Sequence, residues 1–139
     1  MDKEFTVKAI LAAAATYLTY LVGEVDRMLG ILVIVMILDY VSGVLAAWYG
    51  QRLDSKIGFR GIVKKTLVLV LVAVAHQVDA LTGSTGITRT AVIWFLVAND
   101  GISITENAAE CGVEIPLLTR ALQLIKDKAD QNAEGDPTG

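Results

Sequence analysis

Long apolar blocks separated by short polar intervals run from the start of the chain to about Gly112. The first block, Val7–Val22, carries Thr16, Tyr17, Thr19 and Tyr20 among its alanines and leucines. The second, Met28–Trp48, is 21 residues with a single charge, Asp39. A helix of that length covers roughly 30 Å at 1.5 Å per residue, the thickness of a bilayer hydrocarbon core. The third, Thr66–Leu81, is apolar on every side from Leu67 to Ala75 before His76, Gln77 and Asp79 add polarity near its end. Gly83, Ser84, Thr85 and Gly86 then make a turn into a fourth segment that begins near Thr88, apolar at first and polar later. Beyond Gly112, Pro116 suits the first turn of a helix with Leu117, Leu118, Ala121, Leu122 and Ile125 on its apolar face. The pattern predicts an all-α integral membrane protein with four spans, or three if Val7–Val22 only lies on the surface. Residues 1–112 form the membrane domain, and 113–139 form a short cytoplasmic amphipathic helix followed by a polar tail, disordered from Asp127 onward.

Composition narrows the class. At 139 residues, 54% hydrophobic and a mean hydropathy of +0.55, the chain is too apolar for an ordinary soluble domain. A net charge of −3 gives no support for nucleic-acid binding, and the single Cys111 excludes an internal disulfide. An apolar run behind Lys3 and Lys8 resembles a signal peptide, but the acidic Asp2 and Glu4 in the same region speak against cleavage. With four spans, Lys3, Lys8, Arg52, Lys56, Arg60, Lys64, Lys65, Arg120, Lys126 and Lys128 share one side, against Arg27 and Arg89 on the other. Ten basic residues against two place both termini in the cytoplasm by the positive-inside rule.

The polar residues inside the apolar blocks are the candidate working parts. An ionised carboxylate at the middle of a spanning helix opposes insertion by about 2.5–3.5 kcal/mol, so Asp39 should face other helices or water. Ser42, Gly43, Ala46 and Ala47 follow it on the next two turns, a small face that lets backbones approach and suits helix packing or oligomerisation around one polar anchor. In the fourth segment Asn99, Ser103, Glu106, Asn107 and Glu110 step by 4, 3, 1 and 3, one helical stripe. Two readings stand: a stripe packed against partners or lining a lumen, and a helix that leaves the bilayer near Asn99 with an ordinary solvated face. The Gly50–Lys65 loop, with Arg52, Lys56, Arg60, Lys64 and Lys65, could lie on anionic headgroups or serve only as topology charge. One His and one Cys on different segments give no metal spacing, and no nucleophile–base pair or phosphate-binding loop points to an enzyme or a cofactor.

Three ordered motifs, Asp39-Tyr-Val-Ser-Gly43-Val-Leu-Ala, Ser55-Lys-Ile-Gly58-Phe-Arg-Gly61-Ile-Val-Lys64-Lys65 and Ile104-Thr-Glu106-Asn107-Ala-Ala-Glu-Cys-Gly112-Val-Glu-Ile-Pro116, resemble the phage lysis and toxin-secretion holins, the family that includes the holin-like proteins beside large clostridial toxins. The likeness covers roughly Leu32 to Leu124 and departs at Glu114, where the family often carries proline. It implies a small multi-pass protein of the bacterial cytoplasmic membrane. Such proteins accumulate in membrane lipid as homo-oligomers and open lesions through which an endolysin or toxin passes. Two other classes fit the same residues: a small ion channel or transporter subunit built on Asp39, and an antiholin that binds and delays a holin.

Overall fold

The computed structural model describes residues 2–134, and within them the fold is all-α. Five helices follow in order: α1 (Lys3–Val22), α2 (Arg27–Tyr49), α3 (Ser55–Thr82), α4 (Ile87–Glu110) and α5 (Pro116–Glu134). Each apolar block of the sequence is the body of one of the first four helices. Of the five, α1, α2 and α4 are long and apolar enough to cross a membrane. The remaining expected span lies in α3, whose 28 residues join a basic first half to the apolar run.

Local chemistry sets the boundaries. Asp26 starts α2 by accepting a hydrogen bond from the Leu29 amide at 2.9 Å. Asp54 starts α3 by accepting from the Lys56 amide at 3.3 Å. Gly83, at φ 69°, closes α3 in the left-handed conformation that glycine adopts without penalty. The residue preceding α4, Gly86, has no side chain to cap with. Asp79 of α3 does that work from across the turn, accepting from the amides of Thr88 at 2.9 Å and Arg89 at 2.7 Å and from the Ser84 hydroxyl.

Helix α4 is the centre of the bundle, packed against α2, α3 and α5. Leu29, Leu32 and Met36 of α2, Val68 and Val72 of α3, and Ile93 and Leu96 of α4 make one buried apolar layer. Helix α1 gives it no buried residue, and only Val22 at its end packs against it. Every residue from Lys3 to Tyr20 is exposed, and α1 is held only near its end, where Gln77 of α3 reaches the Tyr20 and Leu21 carbonyls and Arg89 of α4 reaches that of Val22.

Two expectations need correction. The Gly50–Lys65 loop is helical from Ser55, leaving only a short turn after Tyr49. The Asp54 cap starts the helix early enough to take in the basic residues. The tail is not disordered from Asp127, because α5 continues to Glu134; residues 135–139 lie outside the described residues. The cause is docking. Helix α5 runs back along α4, with Leu122 against Gly101, Lys126 5.4 Å from the centre of the Phe95 ring, and Ala129 buried. The docked stripe is thus Leu122, Ile125, Lys126 and Ala129, while Leu117, Leu118 and Ala121 of the expected apolar face stay exposed.

Candidate functional site: a buried charge cluster between three helices

Asp39, Lys65 and Asp100 lie ten residues in from Tyr49, Ser55 and Glu110, the ends of α2, α3 and α4 at the same side of the bundle. At 1.5 Å per residue that is about 15 Å along the axis. The equal spacing brings the three side chains together. The Lys65 ammonium donates to Asp39 Oδ2 and, at 2.8 Å, to Asp100 Oδ2. Both carboxylates are buried, Asp100 at 1% exposure and Asp39 at 7%, and Lys65 is half-buried. Two carboxylates therefore share one cation where solvent screening is weak, and the second oxygen of Asp100, Oδ1, has no hydrogen-bond partner among the described residues.

A cleft of about 260 Å³ leads to the cluster from the Arg52–Glu110 side. Asp39 and Lys65 lie on its wall with Tyr40, Gly43, Lys64, Ser103 and Asn107. The ring of Tyr40 lies on Gly61, where an added Cβ would sit 3.0 Å from two ring carbons, so a larger residue there must displace the ring. Ser42 links two elements: its hydroxyl donates to the Asp39 carbonyl at 3.0 Å and accepts from Asn107 Nδ2 at 2.9 Å. Arg52 and Glu110 form an ion pair in which both side chains are exposed. On the other side of the cluster the apolar layer closes the bundle.

The expected residues distribute as follows. Asp39, Ser42, Gly43, Ala46 and Ala47 are on the face of α2 turned to α4 of the same chain and to the cleft, with Ala46 and Ala47 buried. The α4 stripe divides: Ser103, Asn107 and Glu110 line the cleft, while Glu106 lines a separate groove with Ile115, Pro116 and Arg120. Asn99 is half-buried. Lys56 and Arg60 are exposed on α3, and Lys65, read as a loop charge, is the shared cation of the cluster. Asp100 was not singled out by the sequence at all. The usable signal was a second carboxylate at the same distance from its helix end as Asp39.

A second cluster ties the opposite end. Arg89 Nε and Nη2 donate to the carbonyls of Val22 at 2.7 Å and Glu24 at 2.8 Å, and Nη1 donates to Asp26 at 2.8 Å. The hydrogen bonds from Arg89 hold the Asp26 carboxyl below the usual range. Asp79 and His76 belong to this end, far along α3 from Asp39, so they add nothing to the charge cluster.

The sequence matches the model of the Bacteriophage holin family over residues 16–127. A protein of Bacillus phage phi105 named "Probable holin" is 38% identical over 118 residues, covering 84% of this chain and 87% of that one. An uncharacterized protein of Listeria innocua is 46% identical over 83% of this chain and 82% of its own length. An uncharacterized 14.9 kDa protein of Clostridium perfringens is 39% identical over 88% and 94% respectively. No solved structure matches. With a family match over most of its length and three helices able to cross a membrane, the chain is a membrane protein that belongs to the bacteriophage holin family.

Proposed function

We propose that this protein oligomerises in the bacterial cytoplasmic membrane and opens lesions that let an endolysin or toxin leave the cell. The observation that carries this reading is the buried Asp39–Lys65–Asp100 cluster at the end of a polar cleft inside an otherwise apolar bundle. A helix with an internal polar face has two compatible environments: other helices while the bundle is closed, and water when copies separate around a lumen. Such a protein accumulates in lipid and then rearranges without exposing charge to hydrocarbon. The family membership and the phage relative support the same reading.

The basic asymmetry supports four spans with both termini cytoplasmic and α3 supplying the fourth, an arrangement in which the cleft mouth and the Lys56, Arg60 and Lys64 face of α3 lie on the inner side. The test of function is induced expression in bacteria with membrane potential and release of a cytosolic enzyme followed together. Loss of potential together with enzyme release is the expected result; loss of potential alone overturns the lesion reading. The net negative cluster favours one second reading, a small cation path. Liposomes separate the two, because a lesion passes a fluorescent protein and a cation path passes ions only.

A further inference from the structure

We propose that Arg60 on α3 of one copy pairs with Glu106 on α4 of a second copy, and that these two faces form the contact between neighbouring bundles. The proposal rests on the oligomer reading and deepens it by naming the surface through which copies meet. Both side chains are exposed, and neither has an ion-pair partner in its own chain among the described residues. Arg60 lies round α3 from Gly58, Gly61 and Lys65, which turn toward Tyr40 and the charge cluster. Glu106 lies on α4 outside the cleft that Ser103, Asn107 and Glu110 line. Each copy therefore carries one cationic and one anionic face on different helices, and the contact can repeat from copy to copy.

The two charges stand at one level. Lys65 and Asp100 touch, which fixes a common height on α3 and α4. Arg60 is five residues from Lys65 toward the Ser55 end, and Glu106 is six residues from Asp100 toward the Glu110 end. At 1.5 Å per residue these are about 7.5 Å and about 9 Å in the same direction. In copies of one orientation, α3 of one meets α4 of the next in the antiparallel sense that the two helices already have within a bundle. One turn further out Lys56 and Glu110 are level too, but Glu110 is already paired with Arg52. Around the charges the surface is apolar, with Phe59 and Val63 exposed beside Arg60 and Ala109 exposed beside Glu106.

That level decides the occupant. The apolar block of α2 runs on to Trp48, nine residues past Asp39 and about 13.5 Å along the axis. With α2 across the bilayer, Arg60 and Glu106 stand roughly 5 Å inside the level of Trp48. A long arginine reaches headgroup phosphate from there, so a lipid would satisfy it. Glu106 is shorter and is repelled by anionic headgroups, so it needs a cation at its own depth. Arg120 lines the same groove as Glu106 without forming an ion pair with it. A second copy satisfies both charges in one contact, whereas an anionic lipid satisfies only one.

The experiment uses the full-length protein in liposomes of phosphatidylethanolamine and phosphatidylglycerol, all copies carrying Cys111→Ser. One population carries Phe59→Cys, and a second, epitope-tagged population carries Ala109→Cys. A short bismaleimide should join the two populations when Arg60 and Glu106 are intact. Joining should fall roughly three- to tenfold with Arg60→Glu or with Glu106→Arg, the size of one intramembrane polar contact. It should recover when all copies carry both reversals. Self-association is read separately, as energy transfer between copies labelled at the N-terminus. Absence of energy transfer overturns the oligomer reading and this proposal together. Energy transfer with no response of joining to either reversal, or with no recovery in the double variant, overturns this proposal alone. Loss with Arg60→Glu only, scaling with phosphatidylglycerol content, would assign Arg60 to lipid phosphate and overturn it too. Recovery of Glu106→Arg by Arg120→Glu, with Arg60 unchanged, would give Glu106 a different partner and do the same.

Discussion

Gly23 has φ 85° and ψ −171°, a region that is essentially reserved for glycine. A Cβ there would also sit 2.9 Å from His76 Nδ1 and 3.0 Å from Arg89 Nε. Gly23→Ala should therefore lower stability by about 1–3 kcal/mol in thermal unfolding, whereas Gly30→Ala, with nothing within 4 Å, should be neutral or slightly stabilising. The Arg89–Asp26 pair makes a pH prediction at the same end. Because the Asp26 carboxyl is held below its ordinary value of 3.8 in the folded protein, its contribution is fully present above that value. It is lost as pH falls through the folded value. Acid unfolding of wild type should show this loss below about pH 4, and Asp26→Asn should remove it. At the charge cluster, Lys65→Met leaves two enclosed carboxylates without a cation and should cost about 3–5 kcal/mol by the same measurement.

At the scale of elements, the apolar blocks were legible because few arrangements other than helices satisfy so long an apolar backbone. The start of α3 was not, since its basic residues read as a loop. Yet Lys56, Arg60 and Lys64 recur every four residues, a helical face behind the Asp54 cap. Asp39 stood out against apolar neighbours, while Asp100 was hidden between Asn99 and Gly101 in a stretch already polar. The place of α5 was illegible for a different reason: it depends on the surroundings. Docked on α4, it carries Lys126, Asp127, Lys128 and Asp130 along the apolar half of that helix. In a bilayer each such charge is opposed by about 2.5–3.5 kcal/mol near the centre. Helix α5 should therefore leave α4 in lipid and lie on the inner surface. With Cys111 replaced, cysteines at Phe95 and Lys126 should crosslink in detergent and fail to do so in liposomes. Equal crosslinking in both would mean that α5 stays docked within the membrane.

Taken as a whole, the molecule is layered along one axis. The Arg89 cluster ties one end, the apolar layer seals the middle, and the charge cluster opens through its cleft toward the other end. Reporter fusions at Asp2 and Gly139 should both report the cytoplasm, which would put the cleft mouth there; an external N-terminus would leave a three-span arrangement in its place. Helix α1 stands outside this layering. Since no buried residue comes from it, a chain beginning at Gly23 should retain the α2–α4 contacts, which Ser42–Asn107 proximity crosslinking can check. What α1 presents, away from its contacts with α3, is an exposed apolar surface from Val7 to Tyr20, suited to hydrocarbon in an isolated copy. When copies crowd together, neighbouring surfaces of this kind can trade lipid for one another and leave every internal contact of each bundle as it was. Under the proposed oligomerisation, association should then begin as an exchange of solvent, its onset following how densely the membrane is filled, before any helix within a copy has to move.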